Sequence, residues 1–166
     1  MTSQGTVYWL TGFAGAGKTT IGTALYEKIK ESTPAVVLLD GDSMREAFGG
    51  DLGYTVEDRS KCAMRYSRLC KLISEQGIIV VCCTISMFNE VRQWNRNNIT
   101  KYVEVYIKAD FDTLEKRDQK QLYSGNAANM PGVDMKMQTP ENPDIVIEND
   151  KNGYVAQHVD SILMIS

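Results

Sequence analysis

The sequence carries no excess of basic charge: 18 Lys and Arg stand against 21 Asp and Glu, a formal net charge of −3. No global positive field is therefore available to draw in nucleic acid. Any phosphate-bearing ligand must be gripped locally, by a cluster of Arg, Lys and backbone N–H groups. No apolar run approaches the roughly 20 residues needed to span a bilayer. Met1–Thr6 has no basic run, and the apolar stretch behind it is too short for a signal peptide. The four cysteines, Cys62, Cys70, Cys82 and Cys83, form no CxxC pair, and two are adjacent in an apolar run. That spacing suits neither zinc nor a disulfide framework, so buried reduced thiols in a cytoplasmic protein are expected. The single histidine, His158, lies among apolar residues far from any motif and reads as structural. Nucleic-acid binding, membrane spanning and metal- or disulfide-stapled scaffolds are thus set aside.

What remains is an ordinary globular composition, 43% hydrophobic and 23% charged over 166 residues, enough for one domain with one substantial core. Short apolar runs at Val7–Leu10, Ala35–Leu39, Ile78–Cys83, Val103–Ile107 and Asp144–Ile147 read as strands. Between them, apolar residues recur at helical spacing. Ile21, Leu25 and Ile29 mark a helix over Lys18–Lys30. Cys62, Ala63, Tyr66, Leu69, Cys70 and Ile73 mark a long one over Glu57–Gln76, with Gly77 as its stop. Further helices are expected over Val91–Asn97, Phe111–Arg117 and Val155–Ile165. Residues 119–142, rich in Gly, Asn, Met and Pro, read as a long loop or lid within a single domain spanning 1–166. Strands alternating with helices predict a three-layer α/β fold, a parallel sheet flanked by helices. In such sheets ligands sit at the carboxyl ends of the strands.

Three segments fall at those ends. Gly12-Phe13-Ala14-Gly15-Ala16-Gly17-Lys18-Thr19 matches GxxxxGK[ST] in full, between a strand and a helix. The spacing predicts a P-loop whose backbone N–H groups, with Thr20 at its end, cradle ATP phosphates. Lys18 would reach the β- and γ-phosphates and the Thr19 hydroxyl would meet Mg²⁺. Asp40-Gly41-Asp42 ends the second strand. One carboxylate can tune the metal, and the other can orient or deprotonate an attacking hydroxyl. The same residue types also cap helices for hydrogen-bonding reasons alone. Arg45, one helical turn on, can hold an anionic acceptor group. At the end of the third strand stand Cys83 and Thr84 in place of a Walker-B carboxylate, which argues against a motor or GTPase and for a small-molecule kinase. Arg59, Arg65, Arg68, Arg92, Arg96, Arg117 and Lys120 are further cations, most of them explained by solvated helix faces.

These residues resemble the adenylylsulfate kinases, P-loop kinases that phosphorylate the 3′-hydroxyl of adenosine 5′-phosphosulfate. The resemblance runs from about Tyr8 to Val146, through LTGFAGAGKTTI, LLDGDSMR, LGYTVEDR, Thr84-Ile85-Ser86, VEVYIKA, RDQKQLY at Arg117–Tyr123 and PGVD at Pro131–Asp134. It implies that Asp42 sits at the acceptor hydroxyl and Asp40 near the metal. It implies that Arg45 and Arg59 bind the acceptor's phosphate-linked group, that Ile85 and Ser86 line its pocket, and that Lys120 and Leu122 reach it from the lid. Arg117 would lie near the ATP base. It further implies a cytoplasmic enzyme, ATP and Mg²⁺ as cofactors, a small nucleotide as acceptor and a homodimer.

The departures from the family pattern are concentrated. Cys62 replaces a usual Asn and Tyr54 a usual Phe. Met130-Pro131-Gly132 replaces FTG, and Ile85-Ser86-Met87-Phe88-Asn89 replaces ISP followed by Tyr or Phe and Arg. In the family, Phe at the positions of Tyr54 and Met130 sandwiches adenine. The phosphate-handling half is kept and the base-recognising half is altered. A relative of the family acts on cytidine diphosphoramidate, and such an acceptor is expected here, ahead of adenylyl sulfate. Two other classes fit the residues less well. A nucleotide-binding protein without turnover would not need Asp42, and a sugar- or shikimate-type kinase would not need the RDQKQLY and LGYTVEDR segments.

Overall fold

The computed structural model describes residues 3–117 and 136–166. Five strands, β1 (Val7–Thr11), β2 (Val36–Asp40), β3 (Ile79–Thr84), β4 (Tyr102–Lys108) and β5 (Ile145–Glu148), form one sheet in the order β2-β3-β1-β4-β5. Every pairing is parallel. β1, with a neighbour on each edge and helices over both faces, is buried at every position. That explains why its sequence is a continuous apolar run rather than an alternating one.

The helices are α1 (Lys18–Lys30), α2 (Gly41–Ala47), α3 (Val56–Glu75), α4 (Asn89–Asn98), α5 (Phe111–Lys116) and α6 (Val155–Met164). Two apolar layers result. One packs Ile21, Leu25 and Ile29 of α1 and Val159 and Ile162 of α6 on Leu10, Val81 and Val105. The other packs Cys62, Ala63, Tyr66 and Cys70 of α3 and Val91 of α4 on Trp9, Val80 and Cys82. Layers of this kind, at about 1.5–3 kcal/mol per fully buried large apolar side chain, hold the sheet ends in place. The three-layer α/β expectation holds, and the strands lie within a residue or two of their expected bounds.

Three local differences bear on the site. α2 is hinted at in the sequence only by its capping-type residues; at seven residues it is too short to show a period. α3 begins at Val56 because Thr55 caps it, its side chain accepting from the Asp58 N–H. Arg92 is no solvated cation. Its side chain is buried beside the buried Glu104, whereas Arg65 makes the exposed two-pronged pair with Asp51 that a helix surface suggests. All four cysteines are free and buried, and no described helix is long and apolar enough to cross a membrane. Of the lid expected over 119–142, residues 136–142 are described and are irregular. The rest, with Lys120, Leu122 and Met130, lies outside the described residues.

Candidate active site

The loop from Gly12 to Gly17 leaves the centre of the sheet and turns into α1. Its shape depends on two glycines in particular. Gly17 adopts φ 104°, a left-handed conformation, and a Cβ there would sit 2.3 Å from the Asn149 side chain. A Cβ on Gly12 would sit 2.3 Å from the Ile107 carbonyl oxygen on β4. The loop is braced from the far side of the sheet. Asn149, buried after β5, donates to the Ala16 carbonyl at 2.7 Å. Arg117 Nη1 donates to the Gly15 carbonyl at 3.4 Å, which places this guanidinium at the rim of the loop. Lys18, Thr19 and Thr20 form the first turn of α1, and Lys18 Nζ donates to the Phe13 carbonyl at 2.8 Å. Beneath this turn the Cys83 thiol faces the Lys18 carbonyl oxygen at 3.4 Å. Burial pushes that thiol up to about 12, so it remains a neutral donor.

Asp40 joins the two motifs. One carboxylate oxygen accepts from the Asp42 and Ser43 N–H groups, at 3.0 and 3.4 Å, and so caps α2. The other accepts from the Thr19 hydroxyl at 3.0 Å. The cap is therefore Asp40, not Asp42. This leaves Asp42 in the first turn of α2, exposed and on the wall of the neighbouring cleft. The paired Thr19 and Asp40 oxygens are hard ligands that fit Mg²⁺, which takes one or two protein oxygens and completes its shell with phosphate and water.

That cleft, open to solvent, is walled by α2, the loop before α3, the first turns of α3 and the segment after β3. Asp42, Arg45, Tyr54, Arg59, Cys62, Ile85 and Ser86 all line it. Both arginines lie over the Tyr54 ring, with the guanidinium carbons of Arg45 and Arg59 at 4.4 and 5.2 Å from its centre. Backbone carbonyls fix them there. Arg45 Nη1 donates to Leu52 and Gly53 at 2.7 and 2.8 Å, and Arg59 Nε donates to Tyr54 at 3.1 Å. Ser86 holds a left-handed φ of 27°, which costs a non-glycine residue on the order of 1–3 kcal/mol. Its hydroxyl bonds the Thr84 hydroxyl at 2.6 Å, and Thr11 donates to the Ile85 carbonyl.

The sequence profile of the family described as adenylylsulphate kinase matches residues 4–148, nearly all of this framework. The chain belongs to the adenylylsulphate kinase family. It is 40% identical, over 95% of its length and 94% of the relative's, to the cytidine diphosphoramidate kinase of Campylobacter jejuni subsp. jejuni serotype O:2. It is 38% identical, over 89% of its length and 82% of the relative's, to the adenylyl-sulfate kinase of Halothermothrix orenii. Among solved structures it superposes on the Mycobacterium tuberculosis APS kinase CysC in complex with AMPPNP and APS, with a TM-score of 0.89. That match covers 98% of this chain and 97% of the other, at 27% identity. The protein is thus an ATP-dependent kinase of this family.

Several residues of this family member's site are not evident from the sequence. Asn149 lies just past the last strand, and the rule that sites gather at strand carboxyl ends points to it. Tyr66, Phe88 and Met137 complete the cleft. Tyr66 reads in the sequence as a core residue, yet its hydroxyl donates to the Gly41 carbonyl at 3.1 Å, and burial pushes the phenol's pKa up. Met137 falls within the lid expected over 119–142 but has no motif of its own.

Proposed function

We propose that the chain transfers the γ-phosphoryl group of ATP to the 3′-hydroxyl of a small nucleotide, and that cytidine diphosphoramidate is a better acceptor than adenylyl sulfate. The observation that carries the first part is the junction at Asp40. Through it the P-loop and the acceptor cleft share one carboxylate, and Asp42 sits on the cleft side.

On this reading the acceptor's anionic group lies against Arg45 and Arg59, whose planar forks suit phosphate oxygens. Asp42 accepts the proton of the 3′-hydroxyl as its oxygen bonds the γ-phosphorus and the bond from that phosphorus to the β,γ-bridging oxygen breaks, releasing ADP. Lys18 and the loop N–H groups offset charge on the phosphates. Mg²⁺ held by Thr19 and Asp40 would add positive charge at the same phosphates.

The second part rests on the residues facing the base. Tyr54 lines the cleft with two cations over its ring, and Cys62 offers a thiol where the family usually presents an amide. A purine clamped between two rings gains roughly 1–3 kcal/mol per stacked base. With one ring occupied in this way, adenine loses about tenfold or more for each 1.4 kcal/mol of stacking forgone, while a pyrimidine needs less stacking area. The likeness to the Campylobacter jejuni enzyme along nearly the whole chain supports this choice. The test compares kcat/KM for cytidine diphosphoramidate and adenylyl sulfate at the same ATP·Mg²⁺. Cytidine diphosphoramidate should win; adenylyl sulfate winning by tenfold would reverse the assignment.

A further inference from the structure

α4 has an N-terminus without a cap of its own: Phe88 precedes it and supplies no side-chain hydrogen bond. Its first N–H groups would otherwise lack partners. The side chain that satisfies one of them comes from 49 positions away. Gln138 Oε1 accepts from the Asn89 N–H at 2.8 Å. Two more bonds hold the same residue. The Gln138 N–H donates to the Met87 carbonyl at 3.1 Å, and the Gln138 carbonyl accepts from Arg92 Nη2 at 2.7 Å. Arg92 is 5% exposed and lies against Glu104, 3% exposed, at 3.9 Å, so the third bond is anchored in the protein interior. An exposed residue in an irregular stretch is therefore fixed from three directions. The residue before it, Met137, packs against the apolar layer beneath α3 and lines the cleft that holds Asp42 and Arg45.

We propose that Met137 is a contact residue for the acceptor nucleotide and that Gln138 is a positioning residue, holding Met137 in the cleft wall by capping α4. The proposal rests on the nucleotide-acceptor reading above and adds a wall to it. A thioether is flexible and polarizable, so it can follow the face of a base or sugar that no rigid ring covers. The carbonyl clamp from Arg92 is made to backbone and survives any change of the Gln138 side chain; only the Asn89 bond depends on that side chain.

The test uses Met137→Ala, Gln138→Leu and Gln138→Glu in the full chain, assayed with cytidine diphosphoramidate and with adenylyl sulfate. Met137→Ala should raise the acceptor KM fivefold or more while the ATP KM stays within twofold. Gln138→Leu, which cannot accept from Asn89, should do the same, and Gln138→Glu should restore it, because a carboxylate caps a helix N-terminus at least as well. An acceptor KM within twofold of wild type for Met137→Ala, or equal effects of Gln138→Leu and Gln138→Glu, would overturn the proposal and leave the kinase reading intact. A wild-type chain that phosphorylates neither nucleotide would remove both.

Discussion

At the scale of single residues, Lys18 and Asp42 separate chemistry from packing. Lys18 donates to a carbonyl of the loop it belongs to and lies outside both apolar layers, so Lys18→Ala should fold normally. Turnover should fall by on the order of a hundredfold or more, since phosphoryl transfer is accelerated chiefly by fixed positive charge around the phosphates. A steady-state assay beside a melting curve checks both halves. For Asp42 the structure sharpens the experiment. Asn caps helices as well as Asp does, but the cap of α2 is Asp40, so Asp42→Asn disturbs no cap. We expect kcat to drop strongly, with ATP binding by calorimetry near normal. Unchanged kcat would remove Asp42 from the proton path. The P-loop, Asp40 and Asp42 are legible in the sequence because each chemistry demands particular residue types at fixed spacing. The capping role is legible only as a type, and which carboxylate fills it depends on where β2 ends.

At the scale of elements, α2 hangs on Asp40, and so does its link to α1. Asp40→Ala removes the cap and the Thr19 contact together, and should lower stability by about 1 kcal/mol as well as activity. Asp40→Asn keeps an oxygen for the cap and loses the charge. It should melt near the wild type yet need more Mg²⁺ for half-maximal rate, read from a metal titration. Equal Mg²⁺ requirements would exclude Asp40 from the metal site. Long periodic elements such as α1 and α3 can be read directly, since successive turns repeat one apolar face. α2 cannot, with fewer than two turns and glycine at its start. The bracing of α4 by Gln138 is also invisible, because nothing local in either segment records a partner 49 residues distant. The solvated face expected for Arg92 fails for the same reason. Its burial follows from Glu104 on a different element, and a lone arginine on a polar helix carries no mark of it.

At the scale of the whole molecule, the central sheet makes stability sensitive to alkali. The Cys83 thiol ionises near 9 in an unfolded chain but, through burial, only near about 12 in the fold. The native state then binds more protons than the unfolded one between those values. Stability is unaffected by this group below pH 9 and falls as pH rises from 9 towards 12, by up to about 1.4 kcal/mol per pH unit. Cys83→Ser, which can still donate to the Lys18 carbonyl, should flatten that decline in urea melts across the window; an unchanged slope would assign it elsewhere. The strand order has a different consequence. β1 is the third strand of five, and the loop it feeds forms a seam. On one bank, past β4 and β5, stand Arg117 and Asn149; on the other, past β2 and β3, stand Asp42, Arg45, Ile85 and Ser86. The two banks meet at Asp40, at the end of β2, and Met137 reaches the acceptor bank from the segment before β5. Under the proposed assignment, a lineage can rewrite one bank to change what it phosphorylates while the other continues to handle ATP unaltered. The departures at Tyr54, Cys62 and Asn89, all on the β2–β3 side, are where such rewriting would leave its trace.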